Sequence, residues 1–299
     1  MEKKSSVRKL TINWDIDNKK LIPIRNINLP RLQISFERDF AYPDIWIYES
    51  EENKFEAINR IKDRANYFTV YFARKFFDVE EFSYLAIKLA GQRVLLFNQF
   101  DDVLYFLRKI LLIKESAGVI TAVESLIESA ETENERLVIT QHSEHVSEIT
   151  NRIAIMLDEK NEDIKLAGFI HDVGKICIPA SLLFSNKAFD DQRMKIFQLH
   201  VLWGEVLYEK LSHGKINSVL LESVSFHHER INGQGYLKGI KKNIPQIAKI
   251  IAVSDVYTAL TADRPHRLHF DKDVAITYIS AKSGELFDPE VVEAFKKII

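Results

Sequence analysis

The spacing of hydrophobic and polar residues changes about one third of the way along the chain. Before that point, short segments either alternate apolar with polar residues or are apolar throughout, which is typical of strands. The strands predicted in this way are Leu10–Trp14, Lys20–Ile22 after a turn at Asp15–Asn18, Asp44–Tyr48 and Val94–Phe97. Helical periodicity predicts helices over Asp78–Ala90 and Asp101–Lys114. Residues 1–114 are therefore predicted to form a small mixed α/β domain.

Beyond residue 114, the hydrophobic pattern has a helical period almost everywhere. A stripe that includes Val119, Val123 and Leu126 predicts a connecting helix over residues 115–137. Later segments repeat this pattern, and Asp288 followed by Pro289 is a strong start signal for a last helix, with an N-cap carboxylate and proline at the first helical position. We predict an all-α helical bundle over residues 138–299, and an α+β chain overall.

Composition and charge limit where such a chain can act. The 299 residues are 46% hydrophobic, which is enough for one or two packed domains and excludes a disordered chain. The 41 Lys and Arg residues nearly balance the 43 Asp and Glu residues, so nothing in the net charge of -2 favours binding to a nucleic-acid duplex or an anionic membrane.

Cysteine usage and hydropathy indicate a compartment. The single cysteine, Cys177, cannot form an intramolecular disulfide, which favours a reducing cytoplasm. Residues Met1–Leu10 lack the apolar run of a signal peptide, and charged side chains interrupt the most apolar stretch, Val94–Ile113. We therefore expect a cytoplasmic protein without membrane insertion.

Histidine is absent from the first 141 residues of the chain. All 9 histidines lie between His142 and His269. Five groups of histidine and aspartate residues, which are common metal ligands, are spaced about 28 residues apart along the chain. This spacing is the length of one helical hairpin, so a helical bundle can bring the groups to one level of its interior. These candidate ligands are His142, His171, Asp172, His200, His227, His228 and Asp255.

Burying these seven side chains without partners would cost roughly 1 to 3 kcal/mol for each polar group, whereas a pair of metal ions would satisfy them together. A carboxylate has two oxygens and can bridge two cations, whereas an imidazole offers one nitrogen to one metal. Asp172 is therefore our candidate bridging ligand. Mixed nitrogen and oxygen donors suit iron, manganese, zinc or nickel.

The same residues carry a family resemblance. The second half resembles the HD-GYP family, a branch of the HD-domain metal-dependent phosphohydrolases, although Leu237 follows Gly-Tyr where the family has proline. The matching segments are His142–Val146, His171–Lys175, His200, His227–Tyr236 and Ser254–Pro265.

The resemblance implies hydrolysis of the bacterial second messenger cyclic di-GMP to linear pGpG, GMP or both, through a hydroxide held between two cations. Two transition-metal ions are implied and not three, because Val138 stands where some members have a glutamate for a third metal. Iron or manganese is favoured, and other divalent metals stay open. The implied ligands are His142, His171, Asp172 and Asp255 for one ion, and Asp172, His200, His227 and His228 for the other.

Roles in substrate handling also follow from the resemblance. Lys175, Arg264 and Arg267 would face the phosphates and Tyr236 would lie beside the substrate. Asp172, Lys175 and Tyr236 are the predicted catalytic residues. The expected partner is cyclic di-GMP, and a second copy of the chain or a signalling protein is the further expected partner. The first domain would serve regulation or dimerisation.

Three departures from the family pattern keep alternatives open. Asn232 and Thr258 stand where aspartate is typical, and Leu237 replaces the proline. One alternative is a catalytically weak or inactive cyclic-dinucleotide receptor, or a protein-interaction module, that retains the metal site. Another is an enzyme for a hybrid cyclic dinucleotide. Glu229 either orients a metal ligand or is a solvated charge at a helix end, and Cys177 is expected to be a small buried residue.

Overall fold

The structure of the protein is a computed structural model. It describes residues 8–16, 32–36, 45–50, 68–73, 79–91, 93–114, 136–185, 187, 190–212, 214–236, 239–263 and 268–299. The chain divides into two compact units, residues 1–115 with 190–196 and residues 116–189 with 197–299. Among the described residues, no helix combines the length and the apolar character needed to cross a membrane.

The first part of the chain contains a parallel sheet of five strands. The strands are β1 (Arg8–Ile16), β2 (Leu32–Phe36), β3 (Ile45–Ser50), β4 (Phe68–Ala73) and β5 (Val94–Phe97), in the order β2-β1-β3-β4-β5. Every pair is parallel. All four residues of β5 are buried, as expected for a parallel strand covered on both faces.

Two described helices accompany this sheet, α1 (Val79–Ala90) between β4 and β5, and α2 (Phe100–Lys114) after β5. Helix α1 buries Phe82, Leu85 and Leu89, which recur at helical spacing, while Tyr84 is exposed. Both helices are confirmed within one residue of their predicted starts, and Gly91 follows α1 in a turn.

The strand predictions were only partly right. The strands predicted around Leu10–Trp14, Asp44–Tyr48 and Val94–Phe97 are confirmed, but Asp15 belongs to β1, so the turn predicted to begin there was placed too early. Strands β2 and β4 were not predicted. The β4 sequence FTVYFA is a short run without period, and periodicity cannot distinguish such a run from a buried helical segment. The predicted strand at 20–22 lies outside the described residues.

Beyond residue 135, the described chain is helical, as predicted. Its elements are a π-helical turn (Arg136–Gln141), α3 (His142–Met156), α4 (Ile164–Ile170), a 3-10 turn (Val173–Cys177), α5 (Ala180–Leu183), α6 (Asp191–Gln198), α7 (His200–Leu211), α8 (Ser218–Phe226), α9 (Gln246–Thr261), α10 (Lys272–Ala281) and α11 (Pro289–Ile298). The predicted start of α11 is confirmed, since the Asp288 carboxylate accepts a hydrogen bond from the Glu290 N–H.

A common apolar core holds α3, α4 and α7–α11 together. Val146 of α3, Ile251 of α9 and Phe295 of α11 are fully buried members of it. Glycine permits a close approach beside the predicted ligands, because a Cβ at Gly174 would collide with the backbone carbonyl of His200. The 3-10 turn after Asp172 therefore packs directly on the start of α7. Cys177, in the same turn, is buried, as expected.

Candidate metal centre

The seven predicted ligands lie at the ends or on the inner faces of five helices. His142 is the first residue of α3, His200 is the first residue of α7, and Asp255 lies within α9. The adjacent pairs His171–Asp172 and His227–His228 directly follow α4 and α8. Helix termini thus deliver most of the side chains to one point in the second unit.

The structure brings these residues together in two clusters that share Asp172. Within each cluster, one ligand atom per residue lies within 4.8 Å of the others. The clusters are His142, His171, Asp172 and Asp255, and Asp172, His200, His227 and His228. This grouping matches the two ligand sets implied by the resemblance, and the binding of metal by these residues stays a prediction.

The carboxylate of Asp172 lies between the two clusters. Its Oδ2 atom is 3.2 Å from His171 Nε2 and 3.5 Å from His142 Nε2. Its Oδ1 atom is 3.2 Å from His200 Nε2 and 3.7 Å from His227 Nε2. Each oxygen therefore faces one cluster, which is the arrangement that a bridging ligand requires.

Backbone carbonyls fix the orientation of three imidazoles. The Nδ1 atoms of His171, His200 and His227 lie 2.7, 2.7 and 2.8 Å from the carbonyl oxygens of Gly168, Phe197 and Ser223, respectively. A carbonyl can only accept, so each Nδ1 carries the hydrogen and, in a neutral ring, Nε2 keeps a lone pair. The Nε2 atoms of His200 and His227 are 3.4 Å apart, so two lone pairs face each other unless a cation or proton lies between them.

Unsatisfied atoms test whether these side chains fit divalent cations. Among the described residues, His142 Nε2, His171 Nε2 and Asp172 Oδ1 are buried and form no hydrogen bond. His142 Nε2 and His171 Nε2 lie 3.5 and 3.2 Å from Asp172 Oδ2, and His142 Nε2 is 3.1 Å from Asp255 Oδ1. These atoms face the first cluster, whereas Asp172 Oδ1 faces the second. Since each unpaired buried polar group costs about 1 to 3 kcal/mol, the donor set fits metal ions well.

The electrostatics of the centre keep its donors in the forms that bind cations. Burial acts to raise the pKa of Asp172, but the Lys175 ammonium and nearby imidazoles hold it well below its ordinary value. Burial likewise opposes ionisation of Asp255, and neighbouring histidines keep its pKa well below normal. Both carboxylates are therefore ionised at neutral pH.

The imidazoles differ in their protonation. Burial, reinforced by the neighbouring His171 and His200, lowers the pKa of His227 to about 4. The pKa of His228 is also lowered well below its ordinary value, by burial first and then by His227. Burial acts to lower the pKa of His171, yet Asp172 raises it overall. His227 and His228 are thus neutral near pH 7, as metal ligands must be.

The predicted substrate residues are partly described. Lys175 is buried, its Nζ contacts Asp172 Oδ2, and it lies 5.5 Å from the centroid of the Phe197 ring. Tyr236 stacks on His228, with ring centroids 4.3 Å apart and planes at 28°. The structure therefore places Lys175 against the shared carboxylate and Tyr236 against a predicted ligand. Arg264 and Arg267 lie outside the described residues.

Of the two interpretations of Glu229, the structure contradicts the solvated charge, and the orientation of a metal ligand stays a prediction. Glu229 is 3% exposed, so it is not a solvated charge. Its carboxylate oxygens accept hydrogen bonds from the backbone N–H groups of Gly239, at 3.1 Å, and Ile240, at 2.8 Å. Glu229 thus closes the loop that carries Tyr236. Its position directly after His227–His228 was the only sequence signal, because its partners come from the far end of the loop.

Two other residues shape the same loop. Arg230, which the sequence analysis did not single out, donates from Nη1 to the backbone carbonyls of His227 and Glu229. The Asn232 side chain accepts a hydrogen bond from the Gln234 N–H at 2.9 Å and so preserves a turn. The asparagine at this position is therefore compatible with a closed loop.

Comparison with known proteins gives these residues a family context. The HD domain family matches residues 121–291. The Cyclic di-GMP phosphodiesterase response regulator RpfG of Xanthomonas campestris pv. campestris is 34% identical over 157 residues, which are 50% of this chain and 41% of that protein. The Cyclic di-GMP phosphodiesterase of Thermotoga maritima is 33% identical over 162 residues, 53% of this chain and 44% of that protein.

A third relative has a different named substrate. The 3'3'-cGAMP-specific phosphodiesterase 3 of Vibrio cholerae is 30% identical over 162 residues, 53% of this chain and 35% of that protein. The chain thus spans less than half the length of these curated relatives. A solved structure of Bd1817, a HDG"Y"P protein from Bdellovibrio bacteriovorus, has a TM-score of 0.45 and 16% identity over 74% of this chain and 72% of that chain, too weak a similarity for a structural argument.

The extent of the family match decides membership. The matched residues 121–291 make up more than half of the chain and include all seven candidate ligands. This protein therefore belongs to the HD domain family, which confirms the family relationship predicted from its histidine and aspartate motifs.

Proposed function

We propose that this protein is a metal-dependent phosphodiesterase that hydrolyses cyclic di-GMP to linear pGpG, GMP or both. The observation that carries the proposal is the position of Asp172, whose two oxygens face two separate groups of buried imidazole nitrogens. The names of the curated relatives, which include cyclic di-GMP and 3'3'-cGAMP phosphodiesterases, support the substrate class.

The proposed ligands would hold two transition-metal ions, iron or manganese in the first instance. Divalent cations at this centre would supply Lewis acidity toward the phosphodiester and hydroxide as a nucleophile near neutral pH. The side chains contribute fixed geometry, since the Nδ1–H groups of His171, His200 and His227 are anchored on backbone carbonyls. The ionised carboxylates of Asp172 and Asp255 contribute the negative charge that retains the cations.

Other residues would bind and orient the substrate. Lys175 holds its ammonium beside Asp172, where it can also donate to a phosphate oxygen of a substrate placed over the centre. Tyr236 would lie alongside the substrate, positioned by its ring contact with His228 and by the loop that Glu229 closes. Arg264 and Arg267 remain the proposed additional phosphate contacts.

The proposed domain division follows the sequence pattern. Residues 138–299 would form the phosphohydrolase domain, residues 115–137 a connecting helix, and residues 1–114 a mixed α/β domain for regulation or dimerisation. The protein would bind a signalling protein or a second copy of the chain as its partner.

The test is a product assay on protein of known metal content. Protein loaded separately with iron and with manganese is incubated with cyclic di-GMP or with 3'3'-cGAMP, and linear products are separated by chromatography. Cyclic di-GMP turnover that disappears with a chelator is expected. Preferential cleavage of 3'3'-cGAMP would assign the hybrid substrate instead, and tight binding of cyclic di-GMP without product in either metal form would replace the enzyme by a receptor.

A further inference from the structure

Among the described residues, His142 lacks the hydrogen bond that orients three other imidazoles of the metal centre. His171, His200 and His227 each point Nδ1 at a backbone carbonyl. His142 is 5% exposed, and its Nδ1 has no hydrogen-bond partner in the part of the chain that the structure describes. Histidines that bind metal almost always donate this second N–H to an oxygen, which fixes the tautomer and the ring plane. His142 therefore needs an acceptor.

A second unpartnered atom lies nearby on α9. Thr258 is 2% exposed, and its Oγ1 likewise has no hydrogen-bond partner among the described residues. Thr258 follows Asp255 by nearly one helical turn, so both lie on the same side of α9, and Asp255 Oδ1 reaches His142 Nε2 at 3.1 Å. The hydroxyl oxygen of Thr258 is thus an acceptor on the helix face that already meets the His142 ring.

The two residues also border a common space. His142 and Thr258 both line a cavity of about 490 Å³ between the start of α3 and the end of α9. Thr261 lines it too, but its Oγ1 already donates to the Tyr257 carbonyl at 2.9 Å. A buried water needs two or more polar partners, and the His142 and Thr258 atoms would supply them.

We propose that Thr258 is a positioning residue of the metal centre. A water drawn from the cavity accepts a hydrogen bond from His142 Nδ1–H and donates one to Thr258 Oγ1, which keeps the Nε2 lone pair directed at the metal. The inference rests on the metal site of the proposed function and not on its substrate. It can therefore be tested with metal ions alone.

The experiment is a metal titration of a matched set of variants. Metal-free protein is titrated with Mn²⁺ in competition with a chromophoric chelator, without nucleotide. Thr258→Val keeps the shape of the side chain and removes the hydroxyl, so one of two binding steps should weaken about 10- to 100-fold while the other stays unchanged. Thr258→Ser should restore the affinity, and Thr261→Val, the control from the same cavity, should bind as the wild type does.

The stability of the metal-free protein separates positioning from a structural role. Thr258→Val exchanges this one water-mediated hydrogen bond for a methyl group of the same size, so without metal it should unfold at about the temperature of the wild type. Lower metal affinity combined with undiminished metal-free stability is the expected result. If Thr258→Val does not fold, Thr258→Ala provides the same comparison of affinities against Thr258→Ser.

Three results would overturn the proposal. Thr258→Val with both wild-type affinities would remove Thr258 from the metal centre and leave the proposed function intact. Selective weakening in Thr140→Val instead would transfer the role to Thr140, whose buried Oγ1 also lacks a partner among the described residues. Wild-type protein that binds no Mn²⁺, Fe²⁺ or Co²⁺ would overturn the metal site, and the proposed function with it.

Discussion

The two halves of the candidate metal centre share one carboxylate but differ in charge and in support. The imidazole half, formed by His200, His227 and His228, adds only imidazoles to Asp172. The mixed half, formed by His142, His171 and Asp255, adds a second carboxylate. Two anionic ligands suit a harder or more highly charged cation than one anion with three imidazoles does. The two candidate ion sites are therefore chemically unequal, although each has four candidate ligands.

The halves also differ in how firmly their ligands are held. In the imidazole half, His200 and His227 are both anchored on carbonyls of their own helical segments, and His228 stacks on the Tyr236 ring. In the mixed half, His171 is anchored in this way and His142 is not. We therefore expect the charge of two carboxylates to raise the metal affinity of the mixed half. In the imidazole half, we expect the fixed orientation of the imidazoles to do so.

Removing the shared ligand should have the largest effect because it damages both halves. Asp172→Asn keeps the size of the side chain, but the amide nitrogen cannot bind a cation and the bridging charge is lost. Metal content should fall at both sites, and turnover of cyclic dinucleotide should fall about a thousandfold or more, equivalent to several kcal/mol of lost transition-state stabilisation. The exposed Asp158→Asn is the control, and wild-type turnover in Asp172→Asn would remove it from the catalytic centre.

Substitutions confined to one half should separate the two sites. His227→Ala should lower the metal content of the purified protein from about two ions per chain to about one, because only the imidazole half loses a ligand. Asp255→Asn should also leave about one ion, but this ion should be bound in the imidazole half, whereas His227→Ala should keep the ion of the mixed half. Elemental analysis gives the number, and Co²⁺ absorption spectra of the two variants should differ since their remaining donors differ. Identical spectra would contradict the inequality of the halves.

The sequence predicted the ligand residues of this centre better than the contacts that orient them. Seven ligand residues were singled out because their chemical types recur at the spacing of helical hairpins, and the structure brings all seven together. The carbonyl partners of His200 and His227 depend on how the backbone turns at each helix end, which residue spacing does not encode. The loop contact of Glu229 joins it to Gly239 and Ile240 across a turn, and only the folded chain reveals it.

Prediction was weaker for the sheet than for the helices. Helix α1 was predicted almost to the residue because its apolar stripe is long and ends at glycine. Strand β4 is six residues long, and the identity of such a run is decided by its neighbours β3 and β5, which are distant in sequence. Tertiary pairing, not local pattern, therefore determines the part that sequence reasoning missed.

Acidification should destabilise the metal-free protein through the imidazole half. The pKa of His227 is about 4 in the folded protein, below the ordinary 6.5, so between these values the unfolded chain binds the proton more readily. The free energy of unfolding should therefore decrease as pH falls from about 6.5 to 4, by at most roughly 3 kcal/mol from this group. The lowered pKa of His228 acts in the same direction, and the raised pKa of His171 acts in the opposite one.

Urea unfolding of chelator-treated protein at pH 7, 6 and 5 measures this effect. His227→Gln removes the titrating group, so its stability should fall less steeply over this range than that of the wild type. The carboxylates Asp172 and Asp255 contribute little there, because their pKa values lie well below the ordinary ones and they remain ionised in the folded state. Equal slopes for wild type and His227→Gln would show that His227 does not govern the acid sensitivity.

Loosening the loop beside the imidazole half should reduce activity without removing metal. Glu229→Gln replaces a carboxylate that accepts two backbone N–H groups by an amide with one acceptor oxygen. The lost charge-assisted hydrogen bond corresponds to about 1.5 to 3 kcal/mol of loop stability. We expect about a tenfold fall in kcat/KM with an unchanged metal content, whereas the exposed Glu159→Gln should behave as the wild type. Loss of metal in Glu229→Gln would mean that it supports the metal ligands as well as the loop.

The smallest expected effect concerns the hydroxyl of Tyr236. Its ring stacks on His228, so Tyr236→Phe keeps the contact with the imidazole half and removes only one polar group. If the hydroxyl merely orients the substrate, the loss of one hydrogen bond, about 1 kcal/mol, should lower kcat/KM about fivefold with unchanged metal content. Tyr236→Ala should have a larger effect because it also removes the stacked ring. A thousandfold loss in Tyr236→Phe alone would instead place the hydroxyl in the chemical step, and the imidazole half would then contribute a catalytic group as well as ligands.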